Sequence, residues 1–422
     1  MAFSTPIPQA MQRPWRRATS SMRRARNFLR EKPPGYPGLK MTPKRLLNFH
    51  LTRFHMARGD TKLRGYPLQL TIEATNVCNL RCPFCFTGAG EIGREKTMLQ
   101  MPLFKKALDE LGDYLLMVEF YNWGEPLLNK HIFEMIGMAS SRGISTVIST
   151  NFSVPFDAER AETLVRSGLH TLGVSIDGAK QESYEQYRVR GDFELILANV
   201  DLVNAAKKRL GSATPEIVWE FHIFPHNRHE LDDARALAAE HGMSIAISKG
   251  WVIGPDWDTN HEFAFSSDPS PSRCSFLWQR AIVHNDGGVA PCCGTFYKED
   301  DFGAIKGEPS VALSALETSS FREVWNNEQF QLARSMFRRR DGSAAASALV
   351  CYDCPATVMW ENYKTHLATG GTKAGFKPDF DSNFGFNYFY NRKPTRAETR
   401  DGRITASEPP PEIIPLTPVS GD

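Results

Sequence analysis

Several absences limit what this chain can be. The 422-residue sequence has no run that approaches 18 consecutive apolar residues, which excludes a membrane-spanning helix of the usual kind. Its first residues lack the continuous apolar segment of a secretory signal peptide. No cysteine follows Cys354, which limits the number of cysteine-bound clusters that the second half of the chain can hold. The net charge is only +2, which by itself indicates no highly charged partner.

The eight cysteines that are present cluster instead of spreading as pairs. Clustered cysteines in a chain of this size favour metal binding in a reducing compartment over a disulfide framework. We therefore expect a cytoplasmic protein. Apolar residues make up 41% of the sequence and aromatic residues 11%, which is enough for a large core in one barrel or in two domains.

Charge is distributed unevenly along the chain. Residues 1–66 contain fifteen Lys or Arg against Glu31 and Asp60, an excess of thirteen positive charges that leaves −11 for the remainder. Such a basic arm suits an anionic membrane, a nucleic acid or an acidic partner. The Arg-rich start also resembles a transit peptide. No face that combines aromatic and basic residues is evident, which disfavours nucleic-acid modification.

The arm contains a predicted helix. Thr42 is a suitable N-cap and Pro43 suits the first helical position. Apolar residues then recur at helical spacing, at Leu46, Leu47, Leu51 and Phe54. One interpretation is a helix whose apolar stripe packs on the main domain; the other is a helix that lies on a membrane surface.

From about residue 67 the pattern alternates between strands and helices. The predicted strands are Leu68–Ala74, Leu116–Asn122, Ile144–Thr150, Leu169–Ile176, Ile217–Ile223 and Ser244–Ser248. The predicted helices cover 102–112, 129–142, 157–167, 193–210 and 228–241. Six such units with short connections predict an α/β fold, a partial (β/α)6 TIM-like barrel with its functional residues at the carboxyl ends of the strands.

The predicted organisation has five parts. They are the arm (1–66), the barrel (67–250), a linker rich in Gly, Pro, Asp and Ser (251–273), a small C-terminal α+β module with four cysteines (274–360) and an aromatic-containing, largely irregular tail (361–422). Disorder is expected after about residue 395.

The most informative motif is Cys78-Asn79-Leu80-Arg81-Cys82-Pro83-Phe84-Cys85, directly after the first predicted strand. Three thiolates can hold three irons of a 4Fe–4S cluster and leave the fourth iron open, whereas ferredoxin-type sites supply a full set of cysteines. An open iron can bind a substrate or cofactor. The alternative is structural zinc, which needs four closed ligands, and no fourth ligand lies nearby.

The octapeptide resembles the signature of the radical S-adenosylmethionine (SAM) superfamily. The resemblance implies that Cys78, Cys82 and Cys85 hold a 4Fe–4S cluster whose open iron binds SAM. Reduction of the cluster, by a donor such as flavodoxin or ferredoxin, then cleaves SAM to methionine and a radical that abstracts hydrogen from a substrate. The aromatic residue before the last cysteine, Phe84, is implied to lie near the adenine.

The resemblance extends to the ends of the next strands. Trp123-Gly124-Glu125-Pro126 resembles the Gly-Gly-Glu-Pro motif that binds the SAM amino group, with Trp123 in place of the first glycine. Polar residues at later strand ends are implied to contact the ribose or the SAM carboxylate. The implied cofactor-binding residues are Phe84, Gly124, Glu125, Pro126, Ser149, Asn151, Ser175, Asp177 and Arg188. Ser and Asp also favour turns for local reasons, and Arg188 also suits a solvated helix end.

The second cysteine-bearing segment resembles the SPASM or twitch extension of radical SAM enzymes. The implied ligands of one auxiliary iron–sulfur cluster are Cys274, Cys292, Cys351 and Cys354, with zinc as the alternative. A two-cluster SPASM domain would need further cysteines after Cys354. The leftover Cys293 is interpreted either as a buried structural residue or as a catalytic residue that returns a hydrogen atom to a substrate radical.

Three functions follow as hypotheses. The leading one is oxidation of a small molecule, such as a sugar or a lipid headgroup, with the auxiliary cluster as electron acceptor. A peptide substrate is the close alternative, and the absence of a recognisable peptide-binding domain disfavours it. Epimerisation through Cys293 is the second reaction type. A non-enzymatic electron carrier or scaffold is the third class, and the intact Gly124, Glu125 and Asn151 weigh against it.

Overall fold

The computed structural model describes residues 32–90, 93–249, 273–305, 317–318, 320–339 and 342–372. Most of the predicted linker, most of the tail and the first 31 residues of the arm lie outside these ranges. The strands are β1 Gln69–Ile72, β2 Met117–Phe120, β3 Ser145–Thr150, β4 Thr171–Ser175, β5 Glu216–Ile223, β6 Ser244–Lys249, β7 Arg280–Val283, β8 Gly288–Ala290, β9 Gly303–Ile305 and β10 Glu317–Thr318. The helices are α1 Pro43–Arg58, α2 Phe86–Ala89, α3 Met101–Leu111, α4 Ile132–Ser141, α5 Ala158–Arg166, α6 Gln181–Tyr187, α7 Phe193–Leu210, α8 Leu231–Glu240, α9 Phe321–Trp325, α10 Glu328–Ser335, α11 Ala344–Ser347 and α12 Pro355–Ala368.

The first six strands form the predicted α/β architecture. They pair in parallel in the order β1 to β6, and a helix crosses back between each pair. Residues whose side chains are fully buried alternate with polar residues along the strands, as in β5, where Trp219 and Phe221 are inaccessible and Glu220 lies between them. This period of two gives the curved sheet an apolar outer face against the helices and a polar inner face.

The cysteine-bearing C-terminal segment extends the same sheet. Strand β7 pairs in parallel with β1, with Gln69 opposite Arg280, and β8 and β9 continue the sheet antiparallel. The small module is thus continuous with the barrel, and its first strand lies beside the strand that precedes the Cys78 loop. This topology brings the two groups of cysteines to neighbouring parts of one sheet.

The junction between barrel and module contains a buried ion-pair network. Arg94, whose side chain is 1% exposed, lies 3.1 Å from Asp286 and also pairs with Asp301. Burial of a charge is tolerated only when partners compensate for the lost hydration. The two carboxylates come from the loops around β8, so Arg94 ties the segment after the first cysteines to the C-terminal module.

Helix α1 forms where it was predicted, but the face that it packs against the barrel is not the predicted one. The Thr42 side chain caps it by accepting a hydrogen bond from the Arg45 backbone N–H. Its buried residues are mainly polar, namely Arg45, Asn48, Phe49, Thr52 and His55. The predicted contact stripe points outward, with Leu46 40%, Leu47 62% and Phe54 46% exposed. The interpretation of an apolar stripe packed on the barrel is therefore wrong for these residues.

The part of the chain that the structure describes contains no helix that is both long and apolar enough to span a membrane. Between Cys292 and Cys351 the second segment contains the helices α9 and α10.

Candidate active site

The loop after β1 carries Cys78, Cys82 and Cys85, and Cys85 begins the short helix α2. Its conformation is held by neighbouring loops. The Asn79 side-chain amide donates to the Ser153 carbonyl (2.7 Å), and the Asn151 amide reaches both Asn79 Oδ1 (3.0 Å) and Cys78 Sγ (3.7 Å). The end of β3 therefore positions the first cysteine directly.

A glycine allows the loop after β2 to approach the cysteine loop. A Cβ on Gly124 would lie 2.0 Å from the Thr75 carbonyl oxygen, so no larger residue fits without a backbone shift. The following Glu125 N–H donates to the Val77 carbonyl (2.9 Å). Gly124 is thus required for close contact between two backbones, which is one physical reason for the Gly-Glu-Pro sequence at this point.

Glu125 is buried and its carboxylate is occupied by protein donors. It accepts hydrogen bonds from the Thr150 hydroxyl (2.6 Å), the Asn151 N–H (2.8 Å) and the Leu127 N–H (3.0 Å). Burial raises the pKa of Glu125, while these three donors oppose the rise. The carboxylate fixes the end of β3, and through Asn151 it also fixes Cys78.

A cavity of about 400 Å³ opens at the carboxyl ends of the strands. It brings together most of the predicted site residues from loops that are distant in sequence. Those that line it are Cys78, Cys82, Cys85, Phe84, Gly124, Glu125, Ser149, Asn151, Ser175, Arg188 and Cys293. Pro126 and Asp177 lie beside the cavity wall without lining it. Parallel strands place their carboxyl ends at one edge, which explains why this grouping was predictable.

The cavity also contains residues that the motifs did not indicate. Both predicted serines point at one carboxylate, because Ser149 Oγ lies 2.6 Å and Ser175 Oγ 3.1 Å from Glu220 Oε2. Tyr121 and His222 line the wall as well. The signal for Glu220 and His222 was present in β5, where polar residues at 216, 220 and 222 alternate with Ile217, Trp219, Phe221 and Ile223.

Arg188 is held at the wall by a buried partner. Its Nε donates to Asp177 Oδ2 at 2.6 Å, and His222 donates its backbone N–H to Asp177 Oδ1 at 2.8 Å. Burial alone would raise the pKa of Asp177, but Arg188 and His222 outweigh it and lower that pKa to about 2. Asp177 is therefore ionised at neutral pH, and it orients two cavity residues from behind.

The other four predicted cluster ligands surround a second, smaller cavity. Cys274, Cys292, Cys351 and Cys354 all line it, and the rest of its wall is almost entirely apolar. Adjacent residues face different cavities, since Cys292 lines this one and Cys293 lines the large one. A single peptide bond thus joins a residue that lines the small cavity to one that lines the large cavity.

The residues around the large cavity fit an iron–sulfur cluster with a bound organic cofactor. The three thiols of one loop, those of Cys78, Cys82 and Cys85, meet there, as a cluster with an open iron requires, and Cys293 reaches the same cavity from a separate loop. Burial raises the pKa of Cys78 to about 11 and of Cys82 to about 12, so bound iron must displace their protons. The Trp123 indole N–H, also on this wall, has no hydrogen-bond partner within the described ranges, which leaves a donor for a bound acceptor.

The fold and the paired cysteine sites define an iron–sulfur radical enzyme. Residues 72–233 match the radical SAM superfamily, and residues 274–355 match SPASM, an iron–sulfur cluster-binding domain. The chain thus contains a radical SAM domain followed by a SPASM domain. Its cofactors are accordingly SAM, a 4Fe–4S cluster and an auxiliary iron–sulfur cluster.

Three curated relatives illustrate the range of similar proteins. Mycofactocin maturase MftC of Mycolicibacterium smegmatis is 27% identical over 47% of this chain and 49% of its own length. Fe-coproporphyrin III synthase of Methanosarcina barkeri is 32% identical over 33% of this chain and 37% of its own. PqqA peptide cyclase of Bradyrhizobium diazoefficiens is 30% identical over 29% of this chain and 32% of its own. The chain thus spans at most about half the length of these relatives.

Proposed function

We propose that this chain oxidises its substrate by radical chemistry and passes an electron to the auxiliary cluster. One observation carries the proposal. Cys293 and Gly294, which directly follow the proposed auxiliary ligand Cys292, line the same cavity as the proposed cluster ligands Cys78, Cys82 and Cys85. A substrate in this cavity lies between the site where hydrogen is removed and the site that can accept an electron.

The residues around the cavity have separate proposed roles. Cys78, Cys82 and Cys85 hold the first cluster, and Cys274, Cys292, Cys351 and Cys354 hold the auxiliary one. The residues proposed to bind and orient SAM are Phe84, Gly124, Glu125, Ser149, Asn151, Ser175 and Arg188, and Pro126 is proposed to act through the conformation of the loop beside the wall. Asp177 takes part through Arg188, because it is buried behind the wall.

The chemistry balances as a two-electron oxidation. When bound and reduced, the first cluster and SAM supply a radical that takes one hydrogen atom from a substrate carbon. Cys274, Cys292, Cys351 and Cys354 would hold the auxiliary cluster, which would accept the one electron that the substrate radical gives up, and the accompanying proton would pass to the protein or solvent. His222 lines the cavity and is oriented by Asp177 (Nδ1 to Oδ1, 3.0 Å), so its imidazole is the candidate proton acceptor.

We further propose a peptide as the substrate. The printed name of one relative is a peptide cyclase and that of another is a maturase, and this supports a peptide over the small molecule that the sequence alone favoured. A sugar-like or headgroup substrate is supported by a different observation, the two hydroxyls of Ser149 and Ser175 on the cavity wall, both of which bond to Glu220. The third relative, a porphyrin synthase by name, supports neither class.

The test is anaerobic turnover of the reconstituted protein with SAM and dithionite, with either a randomised peptide library or a panel of polyols and sugars. A substrate increases the rate of 5'-deoxyadenosine formation, and an oxidised product lacks two hydrogen atoms. Loss of two hydrogens from a peptide supports the whole proposal, and their loss from a polyol moves it to the small-molecule class. A product of unchanged mass contradicts oxidation.

Epimerisation is the second candidate, because the Cys293 thiol lies on the wall of the large cavity. Burial raises its pKa to about 11, so the thiol keeps its hydrogen at neutral pH and can transfer it as an atom. In deuterated water an epimerised product gains one deuterium at carbon, and the oxidised product does not. The Cys293→Ala variant then loses epimerisation but retains SAM cleavage.

A further inference from the structure

Exposed apolar side chains are concentrated at helix α1. Among the described residues, five large apolar side chains are exposed, and four of them lie between residues 41 and 54. These four, Met41, Leu46, Leu47 and Phe54, are 38% to 62% exposed, and Leu367 on α12 is the fifth. Single exposed apolar residues are ordinary on protein surfaces, but a grouped set on one helix indicates a contact surface.

The outward orientation of these side chains is fixed by the opposite face of α1. The Arg45 guanidinium donates to four backbone carbonyls, those of Lys40, Gly112, Arg142 and Gly143, at 2.6–3.0 Å. One turn later, the Asn48 amide donates to the Tyr66 carbonyl at 3.1 Å. Five bonds to backbone carbonyls set the rotation of the helix, so Leu46 and Leu47 cannot turn inward without breaking them.

The helix lies at the edge of the barrel opposite the cofactor cavity. Two of the carbonyls that Arg45 binds belong to Gly112 and Gly143, which follow α3 and α4 and precede β2 and β3. These loops are at the amino ends of the strands, whereas the cysteine loop is at the carboxyl ends. A partner bound to α1 therefore leaves the cavity accessible, and binding can be measured separately from catalysis.

The charge around α1 matches an anionic surface. Residues 1–40 contain nine Lys or Arg and one acidic residue, Glu31. On the helix itself, Arg58 is exposed and its guanidinium lies 5.3 Å from the centre of the Phe54 ring. Apolar side chains that insert at the headgroup boundary, combined with a basic segment attracted to anionic lipid, are the two signals that stable peripheral binding requires.

We propose that α1 binds the surface of an anionic membrane, lying in its plane with Leu46, Leu47 and Phe54 inserted among the headgroups, and that the positive charge of the sequence before the helix adds to the attraction. A protein groove that accepts apolar side chains would not require the excess of arginine that precedes the helix. This proposal stands independently of the substrate and of the reaction type.

The experiment uses the full chain with its clusters reconstituted. Co-sedimentation is measured with phosphatidylcholine vesicles, with and without phosphatidylglycerol. The test variant is Leu46→Gln/Leu47→Gln, which removes apolar surface without adding charge and keeps good helix formers. The matched control is Leu367→Gln, since Leu367 is 39% exposed but lies on α12. SAM cleavage and the melting temperature show that each variant is folded and loaded.

The proposal predicts that wild type sediments with anionic vesicles, less so at high salt. The double variant should bind at least about tenfold more weakly, and Leu367→Gln should bind like wild type. Equal binding by wild type and the double variant would overturn it, as would no binding by wild type. A dimer in light scattering that the double variant dissociates, without vesicle binding, would overturn it in favour of a second copy. If the double variant does not fold, Leu47→Gln alone carries the test.

Discussion

The two groups of cysteines occupy contrasting surroundings in one sheet. The first group, Cys78 to Cys85, opens onto a large cavity whose wall includes polar side chains, and its loop is held by Asn151, which follows β3. The second group lines a small cavity whose wall is almost entirely apolar. Open space beside polar donors suits binding and reaction, whereas a closed apolar site suits a cofactor that only transfers electrons.

The largest expected effect comes from removing the first group of cysteines, which we call the open site; the second group is the closed site. In Cys78→Ala/Cys82→Ala/Cys85→Ala we expect loss of SAM cleavage by at least about a thousandfold, because no cluster remains to reduce SAM. Iron should fall from roughly eight to roughly four per chain, since only the closed site stays filled. Iron, sulfide and 5'-deoxyadenosine are measured after anaerobic reconstitution.

Zinc analysis of the same samples tests whether the second group of cysteines holds a structural metal or an iron–sulfur cluster. If wild type holds roughly four irons that the triple variant loses, together with one bound zinc, the closed site is structural. The auxiliary cluster would then not be the electron acceptor. Iron retained by the triple variant, with an absorbance band near that of wild type, supports the two-cluster assignment.

Cys292 and Cys293 are adjacent, but their thiols face different cavities. Substituting each one separately therefore tests the two sites independently. We expect Cys292→Ala to lose the auxiliary cluster signal and the oxidised product, by about a hundredfold or more, while SAM cleavage continues. Cys293→Ala is the matched control and should keep both clusters and the oxidised product. Unchanged product formation by Cys292→Ala would argue against electron transfer through the second site.

Much of this arrangement was predictable from local sequence signals. The six barrel strands and five helices lie within three residues of their predicted ends, because buried apolar residues alternate along the strands and recur at helical spacing between them. The location of the site followed from topology, since strand ends in a parallel sheet meet at one edge. Helix α6, from Gln181 to Tyr187, was missed because it is short and polar.

What could not be predicted depends on partners that are distant in sequence. The inverted orientation of α1 arises from Arg45, whose carbonyl acceptors include Gly112 and Gly143. The pattern of leucines alone favoured the opposite face. Arg94 resembled an ordinary loop arginine, and its role emerges only when the C-terminal segment brings Asp286 and Asp301 beside it.

The stability of the junction between the barrel and the C-terminal module should depend on Arg94. We expect Arg94→Met to destabilise the fold by about 3–5 kcal/mol, because the buried Asp301 and the partly buried Asp286 lose their positive partner. Chemical denaturation followed by tryptophan fluorescence measures this. The control is Lys44→Met, whose pair with Asp113 is mostly exposed, and there we expect no measurable change. Equal stability of Arg94→Met and wild type would show that the junction is held by packing alone.

The smallest effect we predict concerns Asp177, which acts on the open site from behind its wall. In Asp177→Asn the Arg188 side chain loses its charged partner, so we expect SAM to bind about tenfold more weakly while cluster content stays unchanged. Calorimetric titration of SAM into the reconstituted protein measures the affinity. Asp113→Asn, which alters an exposed carboxylate, is the control, and a SAM affinity in Asp177→Asn equal to that of the control would contradict the positioning role.

The pH dependence gives a second readout for Asp177. Because its pKa is lowered to about 2, the ion pair with Arg188 stabilises the fold fully above the unfolded-state pKa of about 4. That contribution is lost only as the pH falls through about 2. Wild type should therefore show no change in SAM affinity from this carboxyl between pH 5 and 8 (roughly one unit above the unfolded pKa and higher). A titration in that range that disappears in Asp177→Asn would mean that Arg188 does not hold the Asp177 carboxyl ionised. The effect of Asp177 on the cavity would then have to be explained through its other partner, His222.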